Sequence, residues 1–237
     1  MNDYVEVADA PGIDISGPEF SASLWVKPDR GPGTEDMFFM KGDRQGTGNV
    51  NYYLSWKDSG KMTWAFKSDG GFEYIDMDVT LPTIDEWNHI AVVFDRPTVS
   101  IYINGTEYTS SVATGGTMDK DLVANDDPLW IGAGRDGGSL VTAGNFSAPF
   151  SGAIDELALF DRALTDAEIE AIRTSAPPAV TASMFNVDEN SANNTVVGTV
   201  VANDPDLGDT LSYACLLYTS PSPRDHLSYR VCRLLLE

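Results

Sequence analysis

Strand, turn and helix start can all be read between Phe150 and Ile169, and no other stretch constrains the fold of this chain as much. Ile154, Leu157 and Leu159 are punctuated by small or polar residues, a pattern that predicts a strand with one face against a core. Thr165 then offers a hydroxyl to the first amides of a helix, and Glu168, three residues on, can reach back to the Thr165 amide, which is the signature of a capping box. Ala167, Ile169 and Ile172 fall on or near one side of that short helix, so it is expected to dock an apolar stripe on the edge or rim of a sheet. The helix is expected to end near Ser175, ahead of Pro177-Pro178.

The rest of the first 175 residues is a series of strand-like runs separated by Gly, Asp and Pro. Trp87–Asp95 and Val99–Tyr108 read as strands joined by a tight turn containing Pro97, and Asn104-Gly105 is a turn dipeptide that tolerates positive φ. Further strands are expected over Asp3–Val7, Phe20–Pro28 and Leu129–Gly134. Many short strands with a single convincing helix predict an all-β antiparallel β-sandwich, and about 175 residues can bury a sizeable core. Together these segments resemble a laminin-G-like domain, which implies a concanavalin A-like jelly roll over residues 1–175 with one short C-terminal helix. Members of that family usually carry a strand ending in a Phe-Asp-Gly-like turn before the Asp-Tyr-Val segment. Met1-Asn2-Asp3-Tyr4 begins after that point, so the first strand is expected to be truncated.

Ala176-Pro177-Pro178-Ala179 opens a stiff linker over 176–184. Residues 185–214 follow, with Phe185–Ser191 and Thr195–Tyr213 similar to the first half of a cadherin repeat. The resemblance implies Ca²⁺ ligation by Glu189, Asp204 and Asp206, and oxygen-only ligands suit that hard cation. About 35 residues fall far short of the roughly 100 of an immunoglobulin-like sandwich, so this piece is not expected to fold stably alone. Cys215–Asp225 resembles a translated transposase-type sequencing adapter, and Val231–Glu237 the downstream flow-cell primer. Residues 215–237 are therefore expected to be a non-native tail. That tail holds both cysteines, so neither a disulfide nor a cysteine-based site is expected in the natural chain.

The formal net charge is −21, with acidic residues dispersed over Asp-rich loops. This disfavours nucleic acid and anionic membranes as partners, since both need Lys and Arg. No apolar run approaches the roughly 20 residues that span a bilayer. The expected setting is a fragment of a larger secreted or cell-surface protein, with both ends cut.

Asp155 stands inside an otherwise apolar strand, where a buried carboxylate needs compensation. The concanavalin A-like resemblance implies a structural Ca²⁺ near that strand; backbone amides donating to Asp155 are the alternative. Asp136, in Gly134–Gly138, is a weaker candidate and reads more simply as a turn residue. Among five tryptophans and nine tyrosines, alternation assigns Trp56 and Trp64 to the core with Leu54, Met62 and Phe66. Tyr53, Tyr74 and Trp130 remain as partly exposed rings that could stack on a sugar.

An enzymatic reading finds little support. The related β-glucanases carry Glu-x-Asp-x-x-Glu or Glu-x-Asp-x-Glu on one strand, and neither string occurs. Asp76 and Asp78 share a strand face without further catalytic context, and within residues 1–175 His89 is the only histidine for a Ser-His-Asp arrangement. No phosphate-cradling Gly-rich loop or dinucleotide fingerprint appears. The expectation is a non-catalytic adhesion module that binds glycan or protein through rim loops, with Ca²⁺ as a structural cofactor. The alternatives are a carbohydrate-targeting domain on an extracellular hydrolase and a structural spacer.

Overall fold

The computed structural model describes residues 4–44, 49–80, 82–136, 139–140, 148–174, 179–180 and 202–203. In chain order the strands are β1 (Val5–Val7), β2 (Glu19–Pro28), β3 (Glu35–Asp43), β4 (Asn49–Lys57), β5 (Lys61–Ser68), β6 (Gly71–Asp78), β7 (Asn88–Asp95), β8 (Thr98–Ile103) and β9 (Thr106–Ser110). They continue with β10 (Leu129–Ile131), β11 (Arg135–Asp136), β12 (Ser139–Leu140), β13 (Ala148–Pro149) and β14 (Gly152–Phe160), before helix α1 (Asp166–Thr174).

Two sheets face each other. One has seven strands in the order β1-β10-β3-β4-β5-β6, with β13 beside β3, and the other has five in the order β14-β2-β7-β8-β9. All pairings are antiparallel except that of β13 with β3. The expected antiparallel sandwich with one short helix is what forms.

Period-two alternation decides which side chains meet between the sheets. Tyr52, Leu54 and Trp56 of β4, Met62, Trp64 and Phe66 of β5, and Ile75 and Met77 of β6 point inward. They meet Phe20, Ala22, Leu24 and Val26 of β2 and Ile90, Val92 and Phe94 of β7. Phe20 stacks on Trp64 with centroids 4.6 Å apart, and Phe66 meets Phe94 at 4.8 Å. Each large side chain so buried contributes roughly 1.5–3 kcal/mol.

The segment around β14 folds as its sequence predicts, with one addition. Strict alternation would put Ile154 and Leu157 on opposite faces, yet both pack on the core with Leu159. A β-bulge between Asp155 and Ala158, with Glu156 at φ 52°, restores the phase. The capping box also forms: the Glu168 amide donates to Thr165 Oγ1 at 3.3 Å, and the Thr165 amide to Glu168 Oε2 at 2.8 Å.

The docking place of α1 differs from expectation. Ile169 and Leu164 pack on Ala91, Val93 and Tyr102, which lie on the outer face of β7 and β8 in the interior of the sheet, away from its edge. The physical reason is that Ala91, Val93 and Tyr102 form an apolar patch on this face for the helix to cover. Tyr102 donates its hydroxyl to Asp166 Oδ1 at 2.7 Å, fixing the first turn. At the β8–β9 turn, Asn104 and Gly105 adopt φ of 51° and 83°, as the dipeptide predicts.

The chain divides into two compact units, Met1–Arg173 and Thr174–Glu237. Within the second, β15 (Ala179–Val180) pairs antiparallel with β16 (Ala202–Asn203). Glu189, Asp204, Asp206 and the tail 215–237 lie outside the described residues.

Candidate functional site

The outward face of the seven-stranded sheet carries the other phase of the same alternation. Cross-strand partners share a face, and the register links Trp130, Met40, Tyr53, Ala65 and Tyr74 in one row across β10, β3, β4, β5 and β6. The three rings singled out from sequence therefore lie in a single row on one face. A second row runs beside it through Met37, Ser55, Thr63 and Asp76.

Exposure differs along the first row. Tyr53 is 1% exposed and Trp130 4%, so neither is the partly exposed platform that the sequence suggested. Tyr53 is covered because it joins a second apolar cluster with Met37, Met40, Val50 and Ala65, against which Phe72 and Tyr74 pack. Burial holds the Tyr53 phenol well above its usual pKa. Phe72 and Tyr74, on the β6 edge strand, stay half-buried, with ring centroids 5.7 Å apart. A short bridge between Tyr74 and Gly115 closes beside them. Gly115 is required there because a Cβ would fall 2.1 Å from Tyr74 Cε1.

Charged groups flank the rings as ion pairs. Lys57 Nζ donates to Asp76 Oδ1 at 2.7 Å, lies 5.8 Å from the Tyr74 centroid, and shares that carboxylate with Thr63 Oγ1 at 2.6 Å. Arg44 pairs with Glu35 at 2.6 Å and lies over Tyr53, while Ser55 donates to the same carboxylate at 2.7 Å. Arg135 lies over Trp130 at 5.3 Å. Past β6 the face opens into a cleft of about 300 Å³ lined by Asp76, Met77, Asp78, Tyr108, Thr109 and Ser110.

Sequence reasoning weighed Asp76 and Asp78 only as catalysts and passed over Phe72, Lys57, Arg44 and Glu35. Alternation was the signal that could have found part of this set, because Ser55, Lys57, Thr63 and Asp76 all interleave with inward core residues.

The remaining candidates sit elsewhere. Asp155 is exposed on the bulge, and its Oδ1 accepts the Glu156 amide at 2.9 Å, so the burial that argued for a metal is not found. Among the described residues, no group of three or more His, Cys, Asp or Glu could hold a metal ion. Asp136 lies in β11. His89 is fully buried and shares a 2.8 Å hydrogen bond with Ser23 through Nε2, while Nδ1 has no hydrogen-bond partner among the described residues. The pair lies on the outward phase of β2 and β7, and among the described residues no carboxylate hydrogen-bonds the ring as one does in a catalytic triad.

Comparison with known proteins agrees with this architecture. Residues 1–170 match the family model Laminin_G_3, described as the concanavalin A-like lectin/glucanases superfamily. Domain 4 of AbnA, a GH43 extracellular arabinanase from Geobacillus stearothermophilus, solved with arabinotriose, is 24% identical with a TM-score of 0.50. That match covers 71% of this chain and 71% of the domain. The CBM40 of the Ruminococcus gnavus IT-sialidase, bound to α2,3-sialyllactose, is 15% identical with a TM-score of 0.51, covering 72% of this chain and 96% of that one. The NanB sialidase from Streptococcus pneumoniae is 19% identical with a TM-score of 0.55, over 82% of this chain but only 29% of the sialidase. At such identities the likeness is one of fold. A search of the curated proteins finds no match. The match of the family model over most of the chain decides the family: this chain belongs to the concanavalin A-like lectin/glucanase superfamily.

Proposed function

We propose that residues 1–173 form a non-catalytic carbohydrate-binding module of an extracellular or cell-surface protein, and that glycan meets it along the β6 side of the seven-stranded sheet. One observation carries this reading. The half-buried rings of Phe72 and Tyr74 lie beside the Lys57–Asp76 ion pair, and the same edge opens into a cleft with two carboxylates and the hydroxyl residues Tyr108, Thr109 and Ser110. Sugars present apolar C–H faces and a rim of hydroxyls; rings supply the first complement and carboxylate, ammonium and hydroxyl groups the second. Tyr53, buried in the same row, packs against Phe72 with ring centroids 6.1 Å apart and supports the surface rather than stacking on the ligand, while the buried Trp130 lies four strands from β6, on β10.

The site lies on a sheet edge, so the expected rim loops give way to a strand-borne surface. Targeting an attached hydrolase to its substrate is favoured over adhesion, because the arabinanase domain and the sialidase CBM40 are modules of such enzymes. Calcium at Asp155 has no part in this reading.

The test is binding of the full chain to a glycan array, with arabinotriose and α2,3-sialyllactose included as calorimetric probes. Saturable binding to at least one glycan is expected. No binding across the array contradicts the proposal.

A further inference from the structure

Lys41, on β3, has a side chain with no solvent exposure. Four oxygens surround its ammonium: Asp9 Oδ1 at 2.7 Å, Asp14 Oδ1 at 2.8 Å, the Asn125 carbonyl at 2.8 Å and the Asp127 carbonyl at 2.6 Å. Three of these accept its three N–H groups, and Asp14 is held as an ion contact without hydrogen-bond geometry. The cage therefore has one more oxygen than the ammonium has protons, and two carboxylates against a single positive charge. Asp9 is held below the usual carboxylate range, chiefly by its hydrogen bond from Lys41.

We infer that this cage is an internal cation site in which the Lys41 ammonium is the resident cation, occupying a place whose ligand set suits a divalent metal. Carboxylate and carbonyl oxygens are the ligand types that a hard cation such as Ca²⁺ takes, with water completing the roughly six to eight it needs. The cage also sits where a structural ion is useful. It joins the segment after β1 and the loop before β10 to the end of β3. Neighbouring bonds bind the same segments: Tyr52 donates to the Ile13 carbonyl at 3.0 Å, and Asn51 to the carbonyls of Ile15 at 3.1 Å and Val123 at 3.0 Å. A covalently tethered ammonium makes this joint independent of dissolved metal. Its removal leaves an oxygen cage of net negative charge, with space where the lysine side chain lay. The inference does not depend on the glycan reading.

The test compares thermal unfolding of the full chain with that of Lys41→Ala, Lys41→Ser and Lys41→Met, each in millimolar CaCl₂ and in EDTA. The readout is the calcium gain of each variant over that of the unaltered chain. All three variants are expected to melt below it in EDTA. Calcium at about a hundred times its dissociation constant is expected to raise Lys41→Ala and Lys41→Ser by about 5–10 °C relative to the unaltered chain. Lys41→Met, which fills the space without charge or oxygen, is expected to show no such gain. The assignment is overturned if neither Lys41→Ala nor Lys41→Ser gains more than the unaltered chain, failure of both to fold in calcium included. An equal gain in Lys41→Met overturns it too, because the ion would then bind elsewhere.

Discussion

The two outer faces of this sandwich are built by the same alternation and put to different ends. On the five-stranded sheet, the outward residues Ala91 and Val93 of β7 and Tyr102 of β8 form an apolar cluster with Leu164 and with Ile169 of α1, which covers them. Their polar neighbours are satisfied internally: Ser21 donates to the Arg162 carbonyl at 2.8 Å and accepts the Leu164 amide at 2.9 Å. On the seven-stranded sheet, the outward residues of β4, β5 and β6 include the rings Tyr53, Phe72 and Tyr74, the hydroxyls Ser55 and Thr63 and the charged Lys57 and Asp76, and the two rings on β6 keep partial exposure. A face that only has to be closed can be closed by one amphipathic helix. A face that carries rings and compensated charges at an accessible edge has a composition that packing alone does not require, which is why the proposed glycan surface is put there.

The largest expected effect falls on the closed face. Ile169→Ala empties a site that is 2% exposed and should cost about 2–4 kcal/mol, read as a fall in the denaturant midpoint. Glycan binding, measured where the variant is still folded, should be unchanged. Loss of binding without unfolding would break the separation of the two faces.

Acid should also act on the closed face. Burial is the main cause that lowers His89 from its ordinary value near 6.5 to about 4, with Arg173 adding to it and Glu170 opposing it. Between those values the unfolded chain binds a proton that the native chain refuses, so stability falls as the pH drops from about 6.5 toward 4. Above 6.5 this group contributes no slope. Thermal midpoints across that range should show the decline, and His89→Gln should flatten it. An unchanged slope in His89→Gln would assign the effect to other groups.

The smallest effect is expected at the helix start, where Thr165→Ala removes the cap hydroxyl and should cost about 0.5–1 kcal/mol. A native-state hydrogen-exchange measurement should find the loss confined to the first turn of α1. A loss spread evenly over β7 and β8 would show that the helix and its sheet open as one unit.

Much of the fold can be read from the sequence because period-two alternation and capping chemistry are local. Ile154, Leu157 and Leu159, the Thr165–Glu168 pair and Asn104-Gly105 each announce their conformation within a few residues. The bulge at Asp155 was hidden because it needs a partner strand to define the phase, and without it Asp155 looked buried. The candidate site was legible only in part. Tyr53, Tyr74 and Trp130 could be chosen as rings off the core face, but their alignment in one row depends on register across five strands. Their exposure depends on what packs above them, and spacing along a single strand reports neither. The Lys41 cage draws on positions 9, 14, 41, 125 and 127, which only the folded topology brings together.

The central claim, that the accessible edge of the seven-stranded sheet is the glycan surface, is tested most directly by titrating one array-identified glycan into the unaltered chain and into Tyr74→Ala. The account predicts at least a tenfold loss of affinity in Tyr74→Ala, about 1.4 kcal/mol, with Thr165→Ala binding as the unaltered chain does. Equal affinities for the unaltered chain and Tyr74→Ala would contradict it and move the sugar site off this face.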